Sequence, residues 1–262
     1  MRQHVTFTCR GSFLAGTLDP GHKPTGLLIV SGGNEVRSGP WNCQADLAKH
    51  VAAVGFPVFR YDRRGVGDSE GENTGFANSA SDIAAALRAF RLHEPALERI
   101  VAFGNCDAAS ALMLAGGTGC DGLVLANPWT FDPVASDTPA APVMTTQRLR
   151  AHYRRRLSDP RAWLRLLTGK VALGSLTSSF TGAAVLNRRS SDLFVQIKGG
   201  LLPFEGPVKI LIAQNDRTGL SFLDLWDKAD PRLHLCPDAS HSFVERDARS
   251  WLLGQILKAL ET

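Results

Sequence analysis

The sequence has little of what a disulfide-stapled, metal-bound or membrane-spanning protein needs. It holds five cysteines, Cys9, Cys43, Cys106, Cys120 and Cys236. They are odd in number and scattered, with no CxxC pair and no zinc-site spacing to a histidine, which argues against both a disulfide framework and a zinc site. Long apolar runs are missing as well. The longest uncharged stretch of the second half, Val171 to Asn187, is broken by Gly, Ser and Thr and falls short of a membrane span. The opening residues MRQHVTFTCRGS lack the apolar core of a signal peptide. Repeats and low-complexity tracts are absent too. The expectation is a cytoplasmic protein with reduced thiols, no membrane span, and no metal or other cofactor.

Net charge is also scarce, at +4 over 262 residues. The small excess is local. Between Val143 and Lys170, eight basic residues (Arg148, Arg150, Arg154, Arg155, Arg156, Arg161, Arg165, Lys170) stand against one acid, Asp159. That stretch carries seven net positive charges, so the remaining chain is negative by three. The Arg154-Arg155-Arg156 run itself holds no aromatic, and the stretch carries no recognised nucleic-acid motif, so nucleic acid is not the expected partner. What is present is ordinary for a folded chain: 44% hydrophobic and 21% charged residues rule out intrinsic disorder.

The apolar residues are grouped by texture. His4 to Cys9 and Phe13 to Leu18 alternate at period two around Arg10-Gly11-Ser12, the pattern of an antiparallel hairpin. Short continuous runs follow at Leu27 to Val30, Val58 to Tyr61, Ile100 to Phe103, Leu123 to Ala126, Val208 to Ala213 and Leu233 to Leu235. Such runs predict strands buried on both faces of a parallel sheet. Helical spacing appears over Trp41 to Val54, with Leu47, His50, Val51 and Val54 on one face. It recurs over Ser79 to His93, Asp107 to Ala115 and Phe243 to Leu260. Strand alternating with helix gives an α/β architecture: a mostly parallel, eight-stranded sheet with an antiparallel N-terminal edge and helices on both faces. Residues 1–127 and 207–262 form its core, and 128–206, too long for one crossover, reads as a helical cap insertion.

Chemistry gathers where strands end. After Ile100 to Phe103 comes Gly104-Asn105-Cys106-Asp107-Ala108-Ala109 and then a helix, the strand–turn–helix setting of a nucleophile elbow. Small residues two before and two after the nucleophile allow close backbone approach, and a thiol at a helix N-terminus is favoured as thiolate. Asp216 follows the Val208 to Ala213 strand, and His241 lies on the loop after Leu233 to Leu235. Each alone has a plainer reading as a buried cysteine or a surface loop residue. Together, in the order nucleophile, acid, histidine, they match the triad order of α/β-hydrolases. The turn Ser31-Gly32-Gly33-Asn34 offers a backbone N–H from Gly33 or Asn34, beside that of Asp107, to an oxyanion. Asp62 and Arg63 read as structural residues that fix their own loop.

The chain resembles α/β-hydrolases from end to end, with DRRGVGDS similar to the superfamily's DxRGxGxS loop, GNCDAA to its elbow, NDRT to its acid turn and DASHSF to its histidine loop. The runs SGGNEVRSG and FRYDRRGVGDSEG resemble more specifically the exosortase A system-associated hydrolases, which are encoded near exopolysaccharide and protein-sorting genes. The resemblance implies a hydrolase acting on ester or thioester bonds through Cys106, His241 and Asp216. Acyl transfer by the same cysteine, or a non-catalytic scaffold, are the alternatives. The substrate expected is a small-molecule or carrier-bound acyl group, with an acidic acyl carrier protein as the partner a basic cap would attract.

Overall fold

The computed structural model describes residues 1–131 and 192–262. These contain eight strands in one sheet: β1 (Gln3–Cys9), β2 (Ser12–Asp19), β3 (Thr25–Val30), β4 (Val58–Tyr61), β5 (Arg99–Asn105), β6 (Gly122–Ala126), β7 (Val208–Ala213) and β8 (Leu233–Cys236). Their order is β1-β2-β4-β3-β5-β6-β7-β8. β2 runs antiparallel to both neighbours, with Cys9 opposite Ser12 and Leu18 opposite Phe59. Every other pairing is parallel. The hairpin turn is Arg10-Gly11, both at positive φ (48° and 82°), the two-residue geometry that matches strand twist.

The continuous apolar runs form these strands because alternate side chains serve opposite faces. In β3, Leu28 and Val30 join one core with Phe59, Tyr61, Phe90 and Leu125. Leu27 and Ile29 point into the other, with Val58, Val101, Val124 and Phe243. Helices α2 (Ala80–His93), α3 (Asp107–Leu114), α4 (Asp192–Leu201) and α5 (Arg217–Leu225) cover the first face. Helices α1 (Cys43–Ala53) and α6 (Arg246–Glu261) cover the second. Each fully buried Leu or Phe contributes about 1.5–3 kcal/mol, so both faces must be covered for the sheet to persist. No helix among the described residues is long and apolar enough to cross a membrane.

Several elements differ from the sequence expectation. The buried face of α1 is Ala45, Ala48 and Val51 with Gln44, while His50 and Val54 lie exposed and Leu47 is half-buried. Alanines let the helix approach the sheet closely, and Gln44 is accommodated by the Ser31 hydroxyl, 2.9 Å from its Oε1. The final helix begins at Arg246 instead of Phe243, because Phe243 (φ 51°) folds back into the core and stacks on Trp251. Helices α4 and α5 had no counterpart in the pattern. Phe194 of α4 meets Phe222 and Trp226 at the end of α5, at centroid distances of 6.4 and 6.1 Å. Of the expected insertion 128–206, residues 132–191 lie outside the described residues, and the Arg-rich stretch 143–170 lies wholly within them.

The β5–α3 turn depends on Gly104. A Cβ there would stand 2.7 Å from the Ala108 carbonyl carbon and 2.8 Å from the Ala109 nitrogen, both backbone atoms that cannot step aside. Gly104→Ala is therefore expected to destabilise the fold by about 1–3 kcal/mol. Gly254, in the middle of α6, has open space where a Cβ would stand, so Gly254→Ala should stabilise by about 0.5–1 kcal/mol. Urea denaturation of the two variants should show these opposite signs.

Candidate active site

Strand β5 ends at Asn105, and the chain turns into α3 through Cys106 at φ 62°, ψ −126°. This is an unusual conformation for a residue with a side chain, and it is held by close contacts on both sides. The Cys106 N–H donates to the Ala126 carbonyl at 2.9 Å, pinning the turn to the end of β6. Its carbonyl accepts from Ala109 (3.1 Å) and Trp129 (3.3 Å). The result places the Cys106 side chain, half-buried, at the carboxyl edge of the sheet.

Asp216 follows β7 and caps α5. Its carboxylate accepts from the N–H groups of Thr218 (3.2 Å) and Gly219 (2.9 Å). A buried carboxylate needs such donors, and here they fix the rotamer that faces the histidine loop. His241 Nδ1 lies 2.9 Å from Asp216 Oδ2. The ring also hydrogen-bonds to Cys106. Burial opposes the charged imidazole, but the hydrogen bonds to Asp216 and Cys106 and their charges win, pushing the His241 pKa up to about 10. The three residues singled out in the sequence are thus brought together in the sequence Asp216, His241, Cys106.

Two asparagines that sequence reasoning missed hold this arrangement. Asn127, fully buried and at φ 43°, follows β6. Its Nδ2 donates to Asn105 Oδ1 and to the His241 carbonyl, each at 3.1 Å, and its Oδ1 accepts from the Ala213 N–H at 2.8 Å. Asn105 Nδ2 donates to the same His241 carbonyl at 3.1 Å. One amide therefore ties together the ends of β5, β6 and β7 and the histidine loop. The only signal in the sequence is a polar residue ending an apolar run, which is ordinary at any strand end.

The glycine turn after β3 arrives from the other side. Gly33, at φ 57°, donates its N–H to both Asp107 oxygens, at 2.7 and 2.8 Å. Its carbonyl accepts from Arg63 Nη2, so the guanidinium of the second loop reaches the turn directly. Asn34 faces elsewhere, its Oδ1 accepting from Asn73 Nδ2 at 2.8 Å. Between Gly33 and Asn34, the expected alternatives, Gly33 is the one whose N–H points at Asp107. Asp62 behaves as a loop anchor: it pairs with Arg37, accepts from the Asp68 N–H at 3.1 Å, and its carbonyl takes the Ser69 hydroxyl at 2.7 Å. Among the described residues, no three His, Cys, Asp or Glu side chains gather as a metal site would require.

Comparison with known proteins agrees with this architecture. Solved structures similar to the chain include the alpha/beta hydrolase GrgF from Penicillium sp. sh18, at 19% identity and TM-score 0.63, covering 100% of this chain and 98% of that one. The Pyrococcus furiosus esterase Pf2001 aligns at 17% identity and TM-score 0.61, covering 100% and 90%. XC6422 from Xanthomonas campestris, described as an a/b serine hydrolase without lid, aligns at 13% identity and TM-score 0.58, covering 99% and 94%. At these identities the likeness is one of fold. No curated protein matches the chain. The model of the Alpha/beta hydrolase family matches residues 27–251, which is most of the chain. With that match and the sheet order above, the chain belongs to the alpha/beta hydrolase family.

Proposed function

We propose that the protein hydrolyses an ester or thioester through a Cys106–His241–Asp216 triad and an acyl-enzyme on the sulfur. The observation that carries this reading is His241, bonded on one side to Asp216 at 2.9 Å and on the other to Cys106. The sulfur attacks the carbonyl carbon as a thiolate partnered by the His241 imidazolium. The carbonyl π electrons move to oxygen, which the backbone N–H of Asp107 and, once it is released from the Asp107 carboxylate, that of Gly33 stabilise. Collapse expels the alcohol or thiol, which takes the proton from His241. The imidazole then draws a proton from water, hydroxide equivalent adds to the thioester, and the acid leaves with the sulfur restored. Asp216 keeps the ring oriented and stabilises its positive charge.

The narrower placement beside the exosortase-associated hydrolases rests on SGGNEVRSG and FRYDRRGVGDSEG. These two runs interlock: Arg37 of the first pairs with Asp62 and Asp68 of the second, and Arg63 of the second holds the Gly33 carbonyl of the first. A motif pair that builds one side of the site is a sounder basis for subtype than scattered identities. A small acyl substrate, free or on a carrier, fits this reading.

Three outcomes are expected. Intact-mass spectrometry after exposure to activated acyl esters of several chain lengths should show an adduct on the wild type and none on Cys106→Ala; a folded wild type that takes no adduct rejects the nucleophile. In Asp216→Asn, NMR titration of the His241 ring should show its midpoint falling from about 10 toward the ordinary value near ~6.5. The matching stability is signed. A pKa raised by folding stabilises fully below about 6.5 and loses that contribution as pH climbs toward 10, so wild type and Asp216→Asn should differ most in acid and converge at high pH. Finally, Asn127→Ala leaves the buried His241 carbonyl and Ala213 N–H short of partners; it should cost about 1–3 kcal/mol and lower kcat more than it raises KM.

A further inference from the structure

Resting on the hydrolase reading above, the hydrogen bonds around Asp107 carry a consequence for which substrates react. The two N–H groups best placed for an oxyanion are those of Gly33 and Asp107. The first of them is already taken, by a side chain of the protein itself. The Asp107 carboxylate accepts from the Gly33 N–H with both oxygens, at 2.7 and 2.8 Å. Asp107 itself opens the first turn of α3. An anion bound by converging N–H groups at a helix N-terminus is what an oxyanion hole is built to hold. Here the anion is the protein's own side chain.

The neighbourhood keeps it there. Gly32 carries no Cβ, and one placed there would collide with Asp107 Oδ1. The carboxylate is therefore seated in a slot that only glycine leaves open. Burial raises the Asp107 pKa, while the Arg63 charge and the N–H bonds work against that rise. Arg63 is almost wholly buried, and its Nε has no hydrogen-bond partner. Glu35, on the same turn, feels both His241 and Asp107 and adds negative charge to the rim.

We infer that the Asp107 side chain is a specificity-determining plug: it closes the oxyanion hole in the free protein, and only acyl substrates that displace it from the Gly33 N–H are turned over rapidly. Substrates bearing a cationic or hydrogen-bond-donating group near the scissile carbonyl give the displaced carboxylate a partner, whereas plain neutral esters do not. The Asp107 side chain makes no bond to the substrate's reacting atoms; it acts through the Gly33 N–H it covers.

The test compares two reactions of Cys106 in wild type, Asp107→Asn and Asp107→Ala. Acylation by p-nitrophenyl acetate, a neutral ester, needs the oxyanion hole. Alkylation by iodoacetamide is a displacement at a saturated carbon and does not. One oxyanion donor is worth about 10²–10³ in rate, so the ratio of acylation to alkylation should rise by at least about tenfold in Asp107→Ala, and by less in Asp107→Asn, whose amide oxygen still accepts from Gly33. A ratio that stays level or falls in both variants, with melting midpoints near wild type, overturns the proposal and makes the carboxylate a brace for the Gly33 turn. If Asp107→Ala does not fold, the ratio in Asp107→Asn decides by the same sign. Alkylation without acylation in all three proteins rejects the hydrolase reading itself, and the plug falls with it.

Discussion

The backbone of Cys106 is the constraint on which the rest of the site depends. At φ 62°, ψ −126° the residue lies where side-chain-bearing residues seldom sit, a conformation worth about 1–3 kcal/mol of strain. It persists because the structure holds it from every side. Gly104 lets the backbone of α3 pass within contact of β5, the Cys106 N–H is fixed to β6, and its carbonyl closes the first turn of α3. Relaxing the turn would withdraw the sulfur from the sheet edge and leave His241 without its second partner. The strain is thus offset by packing elsewhere and keeps the Cys106 side chain at the sheet edge.

A second layer, formed by neutral amides, secures the histidine. Loops after separate strands would drift independently if only an exposed hydrogen bond joined them. Asn127 avoids this by bonding simultaneously to Asn105, to the His241 carbonyl and to the N–H of Ala213 at the end of β7. A buried amide with its donors and acceptor all paired is a rigid joint, and its neutrality leaves the His241–Asp216 electrostatics undisturbed. Asp216 is fixed separately, by two N–H donors of helix α5.

Much of this was legible from the chain, and the division has physical causes. Buried parallel strands advertise themselves because both faces must be apolar, so β4 and β7 match their runs residue for residue. The proximity of Cys106, Asp216 and His241 was legible because the ends of parallel strands share one edge. Helix faces were less legible. The alanine face of α1 has little hydrophobic contrast, and the larger Leu47 and Val54 suggested a rotation that close packing against the sheet rejects. α4 and α5 are short, and their stability comes from the Phe194, Phe222 and Trp226 cluster rather than from local periodicity. Asn127 and the Asp107 carboxylate were invisible for a stronger reason. Their partners lie 114 and 74 residues away, at His241 and Gly33, and nothing local marks a polar side chain for a distant backbone group.

The Asp107 contacts join stability to selectivity. A helix N-terminus that points into a half-buried pocket leaves N–H groups without partners, and the fold must satisfy them in the resting protein. Water can do so in an open site, at little consequence for catalysis, because it exchanges freely for substrate. A covalently tethered carboxylate does so more strongly, since it brings full negative charge and loses little entropy on binding. The same strength then opposes the oxyanion, which needs those N–H groups only at the transition state. Discrimination in such a site arises from how firmly the free protein satisfies its own N–H groups. That places the Gly32–Gly33 turn and Asp107, two segments far apart in the chain, among the determinants of what the cysteine can acylate.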